Sequence, residues 1–89
     1  MTRLFLLLGE ASELTVGEVV KQLRIRSGIS SRATSEMCGL SPAYVSKIET
    51  NSTVPSSRAL IKILGALNCS PEEMLYVFGI LYREDTDEV

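Results

Sequence analysis

Between Pro42 and Thr53 the chain reads PAYVSKIETNST, a run in which Tyr44, Ser46, Lys47, Thr50, Asn51, Ser52 and Thr53 offer hydroxyl, amide and ammonium donors against a single carboxylate, Glu49. Groups of this kind suit hydrogen bonding to phosphate oxygens and base edges. Lys47 can donate to guanine O6 or N7, or to a phosphate, and the methyl of Ala43 can meet that of a thymine. Acid–base chemistry is a poor match. The chain has no histidine, no glycine-rich phosphate loop and no cysteine beside a candidate base, so an enzyme is not expected. The two cysteines, Cys38 and Cys69, stand far apart with no histidine to complete a ligand set, so neither metal nor cofactor is expected. They read as buried free thiols acting as small hydrophobes, with a redox switch as the other reading.

These donors need a helix to carry them, and the local signals place one at Pro42 to Glu49. Ser41 is a good N-cap and Pro42 suits the first helical position, where its missing N–H costs nothing. Val45 and Ile48, three apart, face inward and leave Pro42, Ala43, Ser46, Lys47 and Thr50 on an open face of small and polar side chains that can enter a major groove. A shorter helix over Ser31 to Cys38 precedes it, capped by Ser30 and stopped at Gly39, where Leu40 can fold back onto Met37 or Cys38. Two short helices about a glycine-centred turn are the pattern of a DNA-reading unit.

Three more helices frame this pair. Thr15-Val16-Gly17-Glu18 has capping-box spacing, and Val16, Val19, Val20 and Leu23 then repeat on one face up to about Ser27. Asn51 to Pro55 is loop by composition. Ser56 caps a fourth helix with Leu60, Ile63, Leu64 and Leu67 inward. Ser70-Pro71-Glu72-Glu73 is a second capping box, opening a fifth helix that is expected to end near Arg83.

The whole arrangement resembles the helix-turn-helix of the phage repressor and Cro-like family of bacterial regulators. The likeness is carried by Leu23-Arg24 with Gly28-Ile29-Ser30, by Lys47-Ile48-Glu49, by Val54-Pro55-Ser56, and by Leu60 to Leu67 leading into Asn68 to Leu75. It implies an all-α, five-helix, lambda-repressor-like domain with the helix-turn-helix at helices two and three. It also implies base readers at Pro42, Ala43, Ser46 and Lys47, with Tyr44, Thr50, Asn51, Ser52 and Thr53 near a backbone strand. Ser31 stands where the family often has a phosphate-clamping glutamine; its reach is shorter, and neighbouring Arg32 either compensates or is a solvated surface arginine. Thr34 and Ser35 replace the family's usual apolar residues, so their hydroxyls are expected to bond back to carbonyls of their own helix. Arg24 and Glu49 match a pair that forms an internal salt bridge in some members.

The 89 residues, 45% hydrophobic and 22% charged, suffice for one modest core. No apolar run approaches a membrane span, and Leu4 to Leu8 is too short for a signal-peptide core, so a cytoplasmic location is expected. A net charge of −2 looks unsuited to a DNA partner. The distribution is uneven, however. From Leu14 to Asn68 seven bases (Lys21, Arg24, Arg26, Arg32, Lys47, Arg58, Lys62) face three acids, whereas residues 84–89 hold four acids and no base. The reading is therefore an N-terminal apolar arm over 1–14, a positively charged domain over 15–83 and an acidic tail over 84–89 that points away from phosphate.

Helix five is apolar on most sides. Met74, Val77, Phe78 and Leu81 form the stripe expected to face the core, which leaves Leu75, Ile80 and Tyr82 for a second surface. Either the arm folds over this helix within one subunit, or both meet a second copy. The resemblance favours a homodimer through Leu75, Phe78, Ile80 and Tyr82. Three functions stay open: a homodimeric repressor or autoregulator on an inverted-repeat operator in double-stranded DNA, an antitoxin-like regulator holding a protein partner through the arm and helix five, and a protein-only module of the same fold. With no sensor domain in the sequence, control by the regulator's own concentration is expected.

Overall fold

The computed structural model describes residues 14–87, with side chains described through Glu84. The apolar arm, Leu4 to Leu8 included, and the end of the acidic tail lie outside the described residues. Within them the chain forms five helices and no strand: α1 Val16–Ser27, α2 Ser31–Cys38, α3 Pro42–Glu49, α4 Ser57–Ala66 and α5 Pro71–Asp87.

Each helix begins where its side-chain chemistry dictates. Thr15 and Glu18 form a reciprocal capping box, and Ser30, Ser41 and Ser56 each accept the backbone N–H three residues on. Ser70 and Glu73 repeat the box at α5, with the Ser70 N–H donating to Glu73 Oε1 at 3.0 Å and the Glu73 N–H to Ser70 Oγ at 3.1 Å. The α2–α3 turn closes through Gly39, whose φ of 70° is left-handed, while the Leu40 N–H donates back to Ser35 O. Leu40 packs on the core, whereas Met37 is exposed.

Val16, Val19, Val20 and Leu23 of α1 meet Ile48 of α3, Leu60, Ile63 and Leu64 of α4, and Val77, Ile80 and Leu81 of α5 in one core. Helix α4 packs on α2 and α5, and α1 packs on α3 and α5. Thr34 and Ser35 are fully buried, and their hydroxyls donate to Ser30 O at 2.9 Å and Arg32 O at 2.6 Å. No described buried side-chain polar atom lacks a partner.

Helix α5 departs from expectation twice. It continues to Asp87 rather than ending near Arg83, so the first part of the acidic segment is helix. Its inward face is also rolled. Ile80, expected on an outward surface, is only 5% exposed and belongs to the core, while Phe78 is half-buried at the edge. The physical reason is that the inward row runs Glu73, Val77, Ile80, Leu81 and Glu84, with a carboxylate at each end. Reading apolar residues alone discards those two ends and turns the helix by one position. The corrected row leaves Leu75 and Tyr82 outward, 75% and 72% exposed.

Candidate nucleic-acid interface

Helix α3 presents one side and anchors the other. Val45 and Ile48 are fully buried, whereas Pro42, Ala43, Ser46, Lys47 and Thr50 are exposed. Lys47 makes no ion pair among the described residues, so its ammonium is available to base edges or phosphate along with the small side chains beside it.

Both ends of α3 are braced. At the N-terminal end, Ser41 Oγ accepts the Tyr44 N–H at 3.1 Å, and the half-buried Tyr44 ring packs on the core. The Tyr44 hydroxyl accepts the Ser56 N–H at 3.3 Å, which ties the loop before α4 to α3 and leaves the phenolic proton to donate outward. At the C-terminal end, Asn51 takes a left-handed φ of 64°, and the Ser52 N–H donates to Lys47 O at 2.8 Å. Thr15 Oγ1 lies 2.6 Å from Asn51 Oδ1 and donates to it, so the Asn51 amide N–H groups remain as outward donors.

Thr50 is placed less favourably. Its hydroxyl donates to Ser46 O at 3.0 Å and lies 3.1 Å from Ser52 Oγ, so these hydroxyls largely serve the end of α3 itself. Thr53 is half-buried in the loop that follows. Ser31 is half-buried at the start of α2, and the neighbouring Arg32 is exposed, with Glu36 3.6 Å away in a solvent-facing pair that holds it weakly.

Arg24 clamps Glu49 with both oxygens engaged, Nε to Oε2 at 2.7 Å and Nη2 to Oε1 at 3.0 Å, and its third donor reaches Ile29 O. The pair is mostly buried and fixes α1 to the end of α3; losing one partner costs on the order of 3 to 5 kcal/mol. Arg26 likewise holds Glu73, which is 3% exposed, through two hydrogen bonds that fasten the end of α1 to the start of α5. Two of the seven bases counted in the domain are thus neutralised internally. Lys21, Lys47, Arg58 and Lys62 are exposed and make no ion pair among the described residues.

Several structural residues escape sequence reasoning. Gly17 is one, because a Cβ there would lie 2.0 Å from Ile48 O and 2.7 Å from Asn51 Oδ1. The backbones of α1 and α3 touch at this point. An isolated glycine inside a helical pattern was the available signal. The Arg26–Glu73 pair and the reach of Glu84 Oε2 to the Val16 N–H, 2.9 Å, join residues far apart in sequence and leave no local trace. The thiols are free, Cys38 buried and Cys69 half-buried. Burial first, then the charge of Glu73, pushes the Cys69 thiol up to about 11 against the opposing effect of Arg26, and burial raises Cys38. Among the described residues no cluster of three or more His, Cys, Asp or Glu could hold a metal ion, and no helix is long and apolar enough to cross a membrane.

No curated protein and no solved structure matches the chain. A family model described as helix-turn-helix matches residues 20–74, well over half of the sequence and all of α2, α3 and α4. With α3 exposed on one side, buried on the other and braced at both ends, the chain belongs to the helix-turn-helix family of phage repressor-like, DNA-binding regulators.

Proposed function

We propose that the protein is a homodimeric, sequence-specific regulator that covers an inverted-repeat operator and acts as a repressor or autoregulator. The observation that carries this reading is the free face of α3. Five adjacent small or polar residues, Lys47 among them, stand clear of the domain on a helix held by Arg24–Glu49 and Thr15–Asn51. Ala43, Ser46 and Lys47 supply base contacts. Pro42 has no donor, so part of the preference comes from groove shape. Ser31, Arg32, Tyr44, Asn51 and Thr53 supply the phosphate contacts that fix register.

The second half of the reading rests on α5. Leu75, Phe78 and Tyr82 recur at i, i+3 and i+7 on one side, with Gly79 flat between them and nothing within 4 Å of where its Cβ would stand. A two-fold pairing of this stripe sets the two recognition helices about 34 Å apart, one turn of DNA. The competing reading, an unlike protein seated on the same stripe, gives a monomer in isolation.

Lys47→Ala tests the central assignment. Binding to a duplex selected from a random pool is expected to weaken more than binding to a scrambled duplex, by about 1 to 3 kcal/mol of lost discrimination. Equal weakening on both duplexes moves Lys47 to the phosphate backbone, and absence of binding to any duplex leaves the protein-only reading.

A further inference from the structure

We propose that Glu84, an acid of the segment that by charge alone belongs to a DNA-repelling tail, is a positioning residue for the recognition helix. The inference deepens the DNA-reading assignment of α3 and rests on it. Glu84 lies on the extension of α5 beyond Arg83, one turn past Ile80 on the inward row. Its Oε2 accepts the Val16 N–H at 2.9 Å across 68 residues of sequence. That N–H is the first of α1 and has no partner within its own helix. The preceding residue of α5 grips the other side of the same junction, as Arg83 Nη2 reaches Leu14 O at 3.5 Å. Together they close a clasp around Thr15, with a donor on the carbonyl before it and an acceptor on the N–H after it.

What the clasp holds is the seat of α3. Thr15 donates to Asn51, immediately beyond the recognition helix, and Gly17 lies directly against Ile48 O. Movement of the α1 N-terminus therefore moves two of the contacts that set the C-terminal end of α3, the Arg24–Glu49 pair being a third further along α1. Thr15, Val16, Gly17, Asn51 and Glu84 also line one small cavity of about 220 Å³, so the carboxylate and the end of the reading helix share a single space. Glu84 thus belongs to the folded domain although its charge assigns it to the acidic segment.

The test uses the full chain with Glu84→Ala or Glu84→Gln, and a chain ending at Glu84. Hydrogen exchange at the Val16 and Ser52 amides reads the clasp without DNA, and the ratio of affinities for a selected and a scrambled duplex reads its consequence. Glu84→Ala is expected to lower Val16 protection roughly tenfold and the affinity ratio by a similar factor, as loss of a hydrogen bond to a charged group implies. Glu84→Gln, which keeps an acceptor oxygen, and the chain ending at Glu84 are expected to retain most of both. A melting curve confirms that each variant is folded at the temperature used. The proposal is overturned if Glu84→Ala leaves either Val16 protection or the ratio unchanged, or if removing residues 85–89 does the same damage. If the unaltered chain prefers no duplex, the DNA reading of α3 fails, and the exchange data then report only whether the clasp exists.

Discussion

A methylene-sized difference at Gly17 decides whether α1 and α3 can touch. Gly→Ala inside a helix ordinarily stabilises by about 0.5 to 1 kcal/mol. Here the new Cβ would stand 2.0 Å from Ile48 O, a backbone atom that cannot swing away. Gly17→Ala is therefore expected to destabilise by about 1 to 3 kcal/mol in urea unfolding, the reverse of the propensity effect, and to impair DNA binding by displacing the end of α3. The thiols give a second prediction at this scale. Cys69 holds its proton up to about 11 and Cys38 is raised by burial, so at pH 8 both are neutral in the folded protein and alkylation is slow. Denaturation should accelerate labelling by about an order of magnitude or more, which a mass-spectrometric time course measures. Because the folded state binds the Cys69 proton more tightly, this residue's contribution to stability is complete below the usual thiol range and declines as pH rises from that range towards 11.

At the scale of the element, α5 has two apolar faces with opposite duties. Leu75 is 75% exposed and Ile80 is 5% exposed. Their replacement by glutamate must therefore differ. Leu75→Glu is expected to shift sedimentation from dimer to monomer and to leave the monomer folded, because the charge stays in water once the pairing is lost; the melting temperature falls only by what association contributes. Ile80→Glu is expected to cost more than about 3 kcal/mol and to unfold the domain, because it buries a carboxylate with no counter-charge. Circular dichroism separates the two outcomes. A Leu75→Glu chain that sediments like the unaltered one would remove the α5 stripe as the dimer surface. The same helix shows how charge can serve packing, since Glu73 sits inward at its start with Arg26 on both oxygens and Ser70 completing the cap.

For the whole molecule, a net charge of −2 coexists with a basic domain because the two signs occupy different parts of the chain. Internal pairing sharpens this arrangement. Arg24 and Arg26 are committed to Glu49 and Glu73, while Lys21, Lys47, Arg58 and Lys62 are exposed and make no ion pair among the described residues. Affinity for DNA is expected to fall steeply with salt, since the slope of log affinity against log salt counts phosphates neutralised. Removing residues 85–89 should leave that slope unchanged while raising affinity modestly, as three acids that repel DNA at long range are lost. Titrations at several salt concentrations check both. A changed slope would mean that the tail influences the contact surface itself.

The sequence by itself determined the helices, their caps and the open face of α3, because these depend on interactions spanning three or four residues. Ser30, Ser41, Ser56 and Ser70 each meet the N–H three places on, and Val45 and Ile48 share a side by helical period alone. The resemblance to known regulators added the Arg24–Glu49 pair, which local spacing does not reveal. Only the tertiary structure decided the roll of α5, the reach of Glu84 to Val16, the Arg26–Glu73 pair and the contact of Gly17 with Ile48. Each of these joins residues at least 31 positions apart, or places a charge where an apolar pattern predicts none. Helical periodicity states which residues share a side, but the partner a side meets is fixed only when the helices pack.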